Sequence, residues 1–228
     1  MSPDGTSGIP SQTVAQLEAL EIVRGRPLIA VDVDDCLAVF VDHLHRFIGT
    51  LGYEMRLDRY ELEGSMFRVG SEAALPFDEC IGLIHRFFEH ECGRQQAVPG
   101  GAEALQRLSA DAQVVILTNV PGFAGEARRQ NLKGLGIPWP MIVNTGGKGR
   151  AMAWLADAAD APAAFVDDSV RQIENVAKHA PEVVRLHFAG AEFIRRLFPE
   201  CAAATRQVHD WDEAERVLRA ELRLGARP

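Results

Sequence analysis

Short runs of apolar, mostly β-branched residues alternate along the chain with longer stretches in which apolar residues recur every three or four positions. The short runs are typical of buried parallel strands, and the longer spacing indicates amphipathic helices. This alternation predicts an α/β fold, with a doubly wound, Rossmann-like parallel sheet of five strands and helices on both faces. The predicted strands cover residues 28–32, 113–117, 141–143, 163–166 and 183–187. The predicted core helices cover residues 11–23, 102–108, 123–135, 150–158, 170–179, 191–198 and 211–224.

The pattern changes between the first two predicted strands. From residue 53 to about residue 96 there is no fully apolar strand, and Gly64, Gly70 and Pro76 interrupt the stretch. One predicted amphipathic helix precedes the stretch and ends at Gly52, and another, with its apolar face around Phe87, lies within it. We therefore predict a small α-helical cap, residues 38–97, inserted into an α/β core formed by residues 1–37 and 98–228, with residues 1–10 as a flexible tail. This region carries arginine and aromatic side chains: Arg46, Arg56, Arg59, Arg68, Tyr53, Tyr60 and Phe67.

Composition and charge narrow the class of protein. The net charge of -8 makes a nucleic-acid backbone an unfavourable partner. No apolar run approaches the roughly 20 residues that a membrane span needs. The four cysteines have no CxxC pairing, which argues against a zinc site or a disulfide framework and favours a reducing compartment, the cytoplasm.

Polar residues collect where the predicted strands end. Their positions are Asp32, Asp34 and Asp35 after the first strand, Thr118 and Asn119 after the second, Lys148 after the third, and Asp167 and Asp168 after the fourth. Because ligands of such sheets bind at the carboxyl ends of the strands, this distribution predicts a functional site. The alternatives are that Asp34 and Asp35 are turn residues or helix caps and that Lys148 is a surface lysine in a flexible turn.

The residue types at these strand ends suit a phosphoryl group. Asp32 and Asp34 are two residues apart, so on an extended backbone they face one side, where their oxygens could bind Mg²⁺. Lys148 supplies a positive charge, and Thr118 and Asn119 supply neutral donors. A carboxylate such as Asp32 can attack a phosphoryl group, and Asp34 can act as general acid and base.

The segment Asp32-Val33-Asp34-Asp35-Cys36-Leu37 resembles the first motif of the haloacid dehalogenase superfamily. Thr118, Lys148 and the Asp167-Asp168 pair stand where the second, third and fourth motifs would be, in the right order. The resemblance covers about residues 28–175, and the insertion resembles the helical cap of the subgroup with a cap between the first and second motifs.

This resemblance implies a role for each residue. Asp32 would be the nucleophile and a Mg²⁺ ligand, and Asp34 would be the general acid and base and bind the metal through its carbonyl. Thr118, Asn119 and Lys148 would bind the phosphoryl group, and Asp167 and Asp168 would complete the metal site. Cys36 departs from the pattern, because threonine is frequent at that position.

The implied activity is that of a Mg²⁺-dependent phosphatase acting on a small phosphorylated metabolite. The cap composition is compatible with a nucleoside monophosphate or a sugar phosphate. Two alternatives stay open at this point: a mutase that transfers the phosphoryl group to a second hydroxyl, and a catalytically silent ligand-binding or regulatory protein with the same fold.

Overall fold

The computed structural model describes residues 6–58, 64–190, 195 and 200–225. Within them the helices are α1 (Ser11–Glu18), α2 (Val41–Gly49), α3 (Phe77–Glu91), α4 (Gly101–Leu108), α5 (Gly125–Gly134), α6 (Gly149–Ala159), α7 (Val170–His179) and α8 (Trp211–Glu221). The strands are β1 (Leu28–Val31), β2 (Tyr53–Met55), β3 (Met66–Arg68), β4 (Gln113–Thr118), β5 (Met141–Val143), β6 (Ala163–Asp167), β7 (Val184–Phe188) and β8 (Arg206–Val208). Single 3₁₀ turns cover Cys92–Arg94 and Gly122–Ala124.

The main sheet is parallel and has the strand order β5-β4-β1-β6-β7-β8. After β1 the chain builds β4 and β5 on one side and then crosses to build β6 to β8 on the other, so the strand order reverses at β1. The predicted α/β class is confirmed, but the predicted number of five strands is wrong, because β8 is a sixth strand. Its sequence, Arg-Gln-Val, has one apolar residue and lies at the sheet edge, so it carries no signal of a buried strand.

Helices cover both faces of the sheet. This follows from the alternate residues of β1, which pack into two different hydrophobic clusters. Ile29 and Val31 pack into the cluster that contains α4, α5 and α8, whereas Leu28 and Ala30 pack into the cluster that contains α1, α6 and α7. This is the doubly wound arrangement that the alternating pattern predicts. In the described part of the chain, no helix combines the length and the apolar composition needed to cross a membrane.

Helix α1 covers the edge strand β5. The Gln16 side chain accepts a hydrogen bond from the Val143 N–H at 2.9 Å and donates one to the Val143 carbonyl at 3.0 Å, so it satisfies edge groups that would otherwise be free to pair. Within the predicted tail, Ile9 is buried in the cluster of α1, whereas Ser7, Gly8 and Pro10 are exposed. Residues 1–5 lie outside the described residues.

The insertion after β1 contains α2, an antiparallel hairpin of β2 and β3, and α3. The insertion contains the two helices that the sequence predicts and also a hairpin that the sequence did not predict, because strands of three residues are too short to show an alternating pattern. Phe87 and Phe88 of α3 pack against Phe40, and all three rings belong to the same cluster as α4 and α8. Arg59 and Tyr60 of the insertion, and the predicted helix 191–198 apart from Arg195, lie outside the described residues.

Candidate active site

The turn after β1 places Asp32 at the carboxyl edge of the sheet. The Asp32 N–H still pairs with the Val166 carbonyl of β6 at 2.9 Å, and the chain then turns through Asp35, which has a left-handed φ of 56°. The Asp35 carboxylate accepts hydrogen bonds from the N–H groups of Phe40 (2.9 Å) and Val41 (3.2 Å) at the start of α2. Burial raises the pKa of Asp35 to about 7 despite these two donors. Asp35 therefore has the turn-forming and capping role that was the alternative for this stretch.

Lys148 joins two of the predicted carboxylates. Its Nζ donates to Oδ1 of Asp32 at 2.5 Å and to Oδ2 of Asp167 at 2.7 Å, and only 2% of its side chain is exposed. Burial alone would lower the pKa of Lys148, but the two carboxylates outweigh it and raise the pKa above its usual value. For Asp167 the balance is different: burial raises its pKa, and this effect outweighs Lys148, which lowers it. Lys148 is thus a buried, charged group of the site, and the surface-lysine alternative is wrong.

The loop that carries Lys148 is held by helix α7. The Lys148 N–H donates to the Gln172 side chain at 2.9 Å, and the Gly149 N–H donates to the Asn175 side chain at 2.7 Å. A Cβ atom at Gly147 or Gly149 would overlap Asn175, so glycine allows the close approach of loop and helix. Gln172 and Asn175 had no signal in the sequence, because isolated polar residues of a helix are usually solvated.

Thr118 ends β4, the strand next to β1. Its side chain is fully buried, and its Oγ1 has no hydrogen-bond partner among the described residues. The side chain of Asn119 instead bridges two loop groups: it donates to the Gly146 carbonyl at 2.8 Å and accepts from Asn144 at 3.0 Å. Thr118 therefore has a buried hydroxyl that no described residue bonds, whereas Asn119 holds the Lys148 loop next to β4.

Asp34 points to a different set of partners. Its Oδ1 accepts hydrogen bonds from Nη2 of Arg128 in α5 at 2.6 Å and from Nε2 of Gln95 at 3.2 Å. Burial raises the pKa of Asp34, and Arg128 opposes that rise. Sequence reasoning missed both partners. The signal for Arg128 was its spacing four residues before Leu132, which places it on the buried face of the helix.

Asp168 lies near Asp32 and Cys36. Ligand atoms of these three residues are all within 4.8 Å of one another. The two carboxylates are of the kind that a hard divalent cation binds, whereas burial raises the pKa of the Cys36 thiol well above its usual value and so keeps it protonated. The carboxylates therefore fit a cation such as Mg²⁺, with Cys36 as a neutral neighbour. Oδ1 of Asp167, by contrast, accepts from the Ser169 N–H at 2.8 Å, and its Oδ2 contacts Lys148.

Buried His187 of β7 supports the loop after β6. Its Nε2 lies 2.8 Å from the Asp168 carbonyl, and burial lowers the pKa of His187 to about 4. The ring is thus neutral at pH 7, and the contact with a carbonyl requires the proton on Nε2. No pattern in the sequence connects His187 with the site.

The predicted site residues differ in how closely the structure brings them together. Asp32, Lys148 and Asp167 are in direct contact, with Thr118 at the end of the neighbouring strand. Asp168 lies close to Asp32. Asp34 is hydrogen-bonded to Arg128, and Asn119 is hydrogen-bonded to the loop that carries Lys148.

Comparison with known proteins gives matches at the level of structure. No protein-family model and no curated protein sequence matches the chain. A haloacid dehalogenase-like protein of unknown function from Agrobacterium tumefaciens has a TM-score of 0.58 and 20% identity, over 86% of this chain and 99% of that one. A hydrolase of the same family from Deinococcus radiodurans, with bound phosphate and sodium, has a TM-score of 0.58 and 14% identity, over 90% of this chain and 100% of that one. A Thermotoga maritima protein, provisionally assigned as a β-phosphoglucomutase, has a TM-score of 0.54 and 14% identity, over 85% of this chain and 99% of that one.

These neighbours share a fold with the chain at low sequence identity. The chain has the haloacid dehalogenase-like fold, which is the fold implied by the four motifs, and the prediction of that fold is confirmed.

Proposed function

We propose that this protein is a Mg²⁺-dependent phosphatase that hydrolyses a small phosphomonoester through an aspartyl-phosphate on Asp32. The contact that carries this proposal is the buried Lys148 ammonium, which holds Asp32 and Asp167 together at 2.5 and 2.7 Å where the strand order reverses. A fixed positive charge beside a carboxylate suits the oxygens of a phosphoryl dianion, and so does the Thr118 hydroxyl at the end of the neighbouring strand, to which no described residue is hydrogen-bonded. The bound phosphate of the Deinococcus radiodurans neighbour agrees with this chemistry.

The proposed reaction has two steps. In the first, a carboxylate oxygen of Asp32 attacks phosphorus, the bond to the ester oxygen breaks, and that oxygen takes a proton from Asp34. In the second, Asp34 takes a proton from water, and the water oxygen attacks phosphorus and releases the Asp32 carboxylate and inorganic phosphate. Lys148 and Thr118 hold the non-reacting oxygens in both steps.

The cation would be held by Asp32 and Asp168, with the Asp34 carbonyl and Asp167 as the further ligands that the family resemblance implies. Bound Mg²⁺ would supply positive charge that offsets repulsion between the carboxylates and the phosphoryl dianion. The geometry supports this assignment through the closeness of Asp32 and Asp168.

We assign residues 38–97 the role of a cap that excludes water and selects the substrate. Two of its arginines are engaged within the insertion: Arg56 with Glu54 and Arg68 with Glu79, at 3.0 and 2.6 Å. The selecting groups are therefore to be sought elsewhere in the insertion. A nucleoside monophosphate and a sugar phosphate are the substrate classes to test, and the four buried free cysteines suit the cytoplasm.

The mutase alternative is favoured by one observation, the likeness to the Thermotoga maritima protein. Both activities would begin with the same attack by Asp32. They differ in the acceptor, which is water in a phosphatase and a second hydroxyl of the sugar phosphate in a mutase. Product analysis by phosphorus NMR separates them, because a mutase conserves the phosphomonoester. A silent binding protein would turn over neither kind of substrate.

The test is release of inorganic phosphate from 4-nitrophenyl phosphate, with Mg²⁺ and with chelator. We expect release that needs Mg²⁺ and that falls to the chelated level in Asp32→Asn. The matched control is Asp157→Asn, an exposed aspartate towards the far end of α6, which should retain wild-type release. Absence of release from wild type, together with no Mg²⁺-dependent binding of beryllium fluoride, would contradict the enzyme assignment and favour the silent binding protein.

A further inference from the structure

The Asp34 carboxylate is held from the interior of the protein. Arg128 and Gln95 both donate to its Oδ1, at 2.6 and 3.2 Å, and no hydrogen bond from a described residue reaches Oδ2. The Arg128 side chain is fully buried, whereas 21% of the Asp34 side chain is exposed. Gln95 is also buried, so both donors to Oδ1 belong to the interior of the protein.

Each donor is itself fixed by a separate part of the fold. Gln95 Nε2 also donates to the backbone carbonyl of Val39 at 3.1 Å, and the backbone carbonyl of Gln95 accepts from the Asn131 side chain at 2.9 Å. The Arg128 guanidinium lies 5.6 Å from the ring centre of Phe88. Contacts from α3, from α5 and from Val39 in the segment before α2 therefore restrict both donors, and through them the Asp34 carboxylate.

Burying these polar side chains costs stability that apolar packing would not cost. Nε and Nη1 of Arg128 and Oε1 of Gln95 are buried and have no partner in the described part of the chain. Buried polar groups without partners destabilise a fold, and apolar side chains of similar volume often serve a purely structural purpose as well or better. Arg128 and Gln95 nevertheless both direct a side-chain donor to the same atom, Oδ1 of Asp34. This convergence needs an explanation other than packing.

We propose that Arg128 and Gln95 are positioning residues that fix Asp34 through Oδ1, so that Oδ2 exchanges the proton with the leaving group. This inference rests on the proposed function. In the first step the bond from phosphorus to the ester oxygen breaks, its electron pair stays on that oxygen, and the oxygen takes the proton from Oδ2. In the second step Oδ2 takes a proton from the attacking water.

The test uses the dependence of the rate on the leaving group. An ester of 4-nitrophenol loses a stable phenolate and needs little help from an acid, whereas an ester of 4-methoxyphenol needs the proton. A misplaced acid therefore penalises the second ester more than the first. We would measure kcat/KM, which includes phosphoryl transfer to Asp32, for substituted phenyl phosphates between these two in wild type, Arg128→Lys and Gln95→Met.

We expect losses of about 100-fold for the 4-methoxyphenyl ester and under about 10-fold for the 4-nitrophenyl ester, within the range of general acid catalysis. Arg128→Lys keeps a charge but loses the planar fork, and Gln95→Met keeps the volume but loses the donor. The matched control is Arg129→Lys, an exposed arginine of the same helix, which should leave the leaving-group dependence unchanged. Thermal unfolding of each variant identifies those that have lost the fold.

The outcomes separate the two proposals. A steeper dependence in either folded variant supports positioning of Asp34. Equal losses for all esters, or no losses, would overturn the inference and leave the phosphatase assignment intact. If Arg128→Lys does not fold, Gln95→Met decides. If wild type hydrolyses none of the esters and shows no Mg²⁺-dependent binding of beryllium fluoride, the proposed function fails, and the inference that rests on it fails with it.

Discussion

Replacing Lys148 with methionine should cost the fold a large part of its stability. The side chains of Lys148, Asp32 and Asp167 are 2%, 10% and 1% exposed, so the substitution leaves two carboxylates inside the protein without their cation. Removing one partner of a buried ion pair costs roughly 3–5 kcal/mol, because the remaining charge stays desolvated. Total unfolding free energies of domains are about 5–15 kcal/mol, so Lys148→Met should approach the limit of stable folding.

The assay is urea unfolding at neutral pH with chelator present. Lys133→Met, an exposed lysine of α5, is the matched control and should change the unfolding free energy by less than about 0.5 kcal/mol. Adding Asp167→Asn to Lys148→Met should recover about 1 kcal/mol or more, because the amide oxygen can still accept from Ser169 and one stranded charge is gone. A loss below about 1 kcal/mol for Lys148→Met would refute the reasoning, since that is the range of exposed ion pairs.

Two further substitutions test the groups around the site. The pKa of Asp35 is raised from its ordinary value of 3.8 to about 7 by burial, so the folded state binds this proton more tightly than the unfolded state and stability falls as pH rises through that interval. Asp35→Asn should remove this component, which amounts to as much as about 4 kcal/mol; equal pH slopes of the unfolding free energy in wild type and variant would contradict the burial argument. Gly149→Ala should lower stability by about 1–3 kcal/mol and reduce phosphate release, because its Cβ would overlap Asn175 beside Lys148. Gly134→Ala, with open space around it, is the control, and similar thermal unfolding of both variants would refute the overlap.

The fold was predictable from the sequence because the buried strands are nearly pure apolar runs. β1 and β6 are buried along their whole length, and apart from Asp167 at the end of β6 all their residues are apolar, as is typical of strands buried on both faces. The same argument fails for β8, where two of three residues are exposed, and for the hairpin of β2 and β3, which is too short for a period to emerge.

The candidate site was predictable only as far as the strand ends. The position of Thr118, Lys148 and Asp167 follows from parallel strands that end at one edge of the sheet. The groups that orient them do not follow from it. Gln172 and Arg128 lie on helices, where sequence spacing gives the face of a side chain but not the partner it meets.

Gln95 shows why an insertion cannot be separated cleanly from the core that carries it. The chain leaves the core near Val39 and returns near Gln95, and the two crossings pair through hydrogen bonds such as Val39 N–H to the Gln96 carbonyl at 2.8 Å. The Gln95 side chain then joins the outgoing crossing to the Asp34 carboxylate. Because one amide group bonds to both, any movement of the insertion that separates the crossings must break or carry along a contact of Asp34. The proposed acid and base is thus mechanically tied to the segment that is proposed to select the substrate.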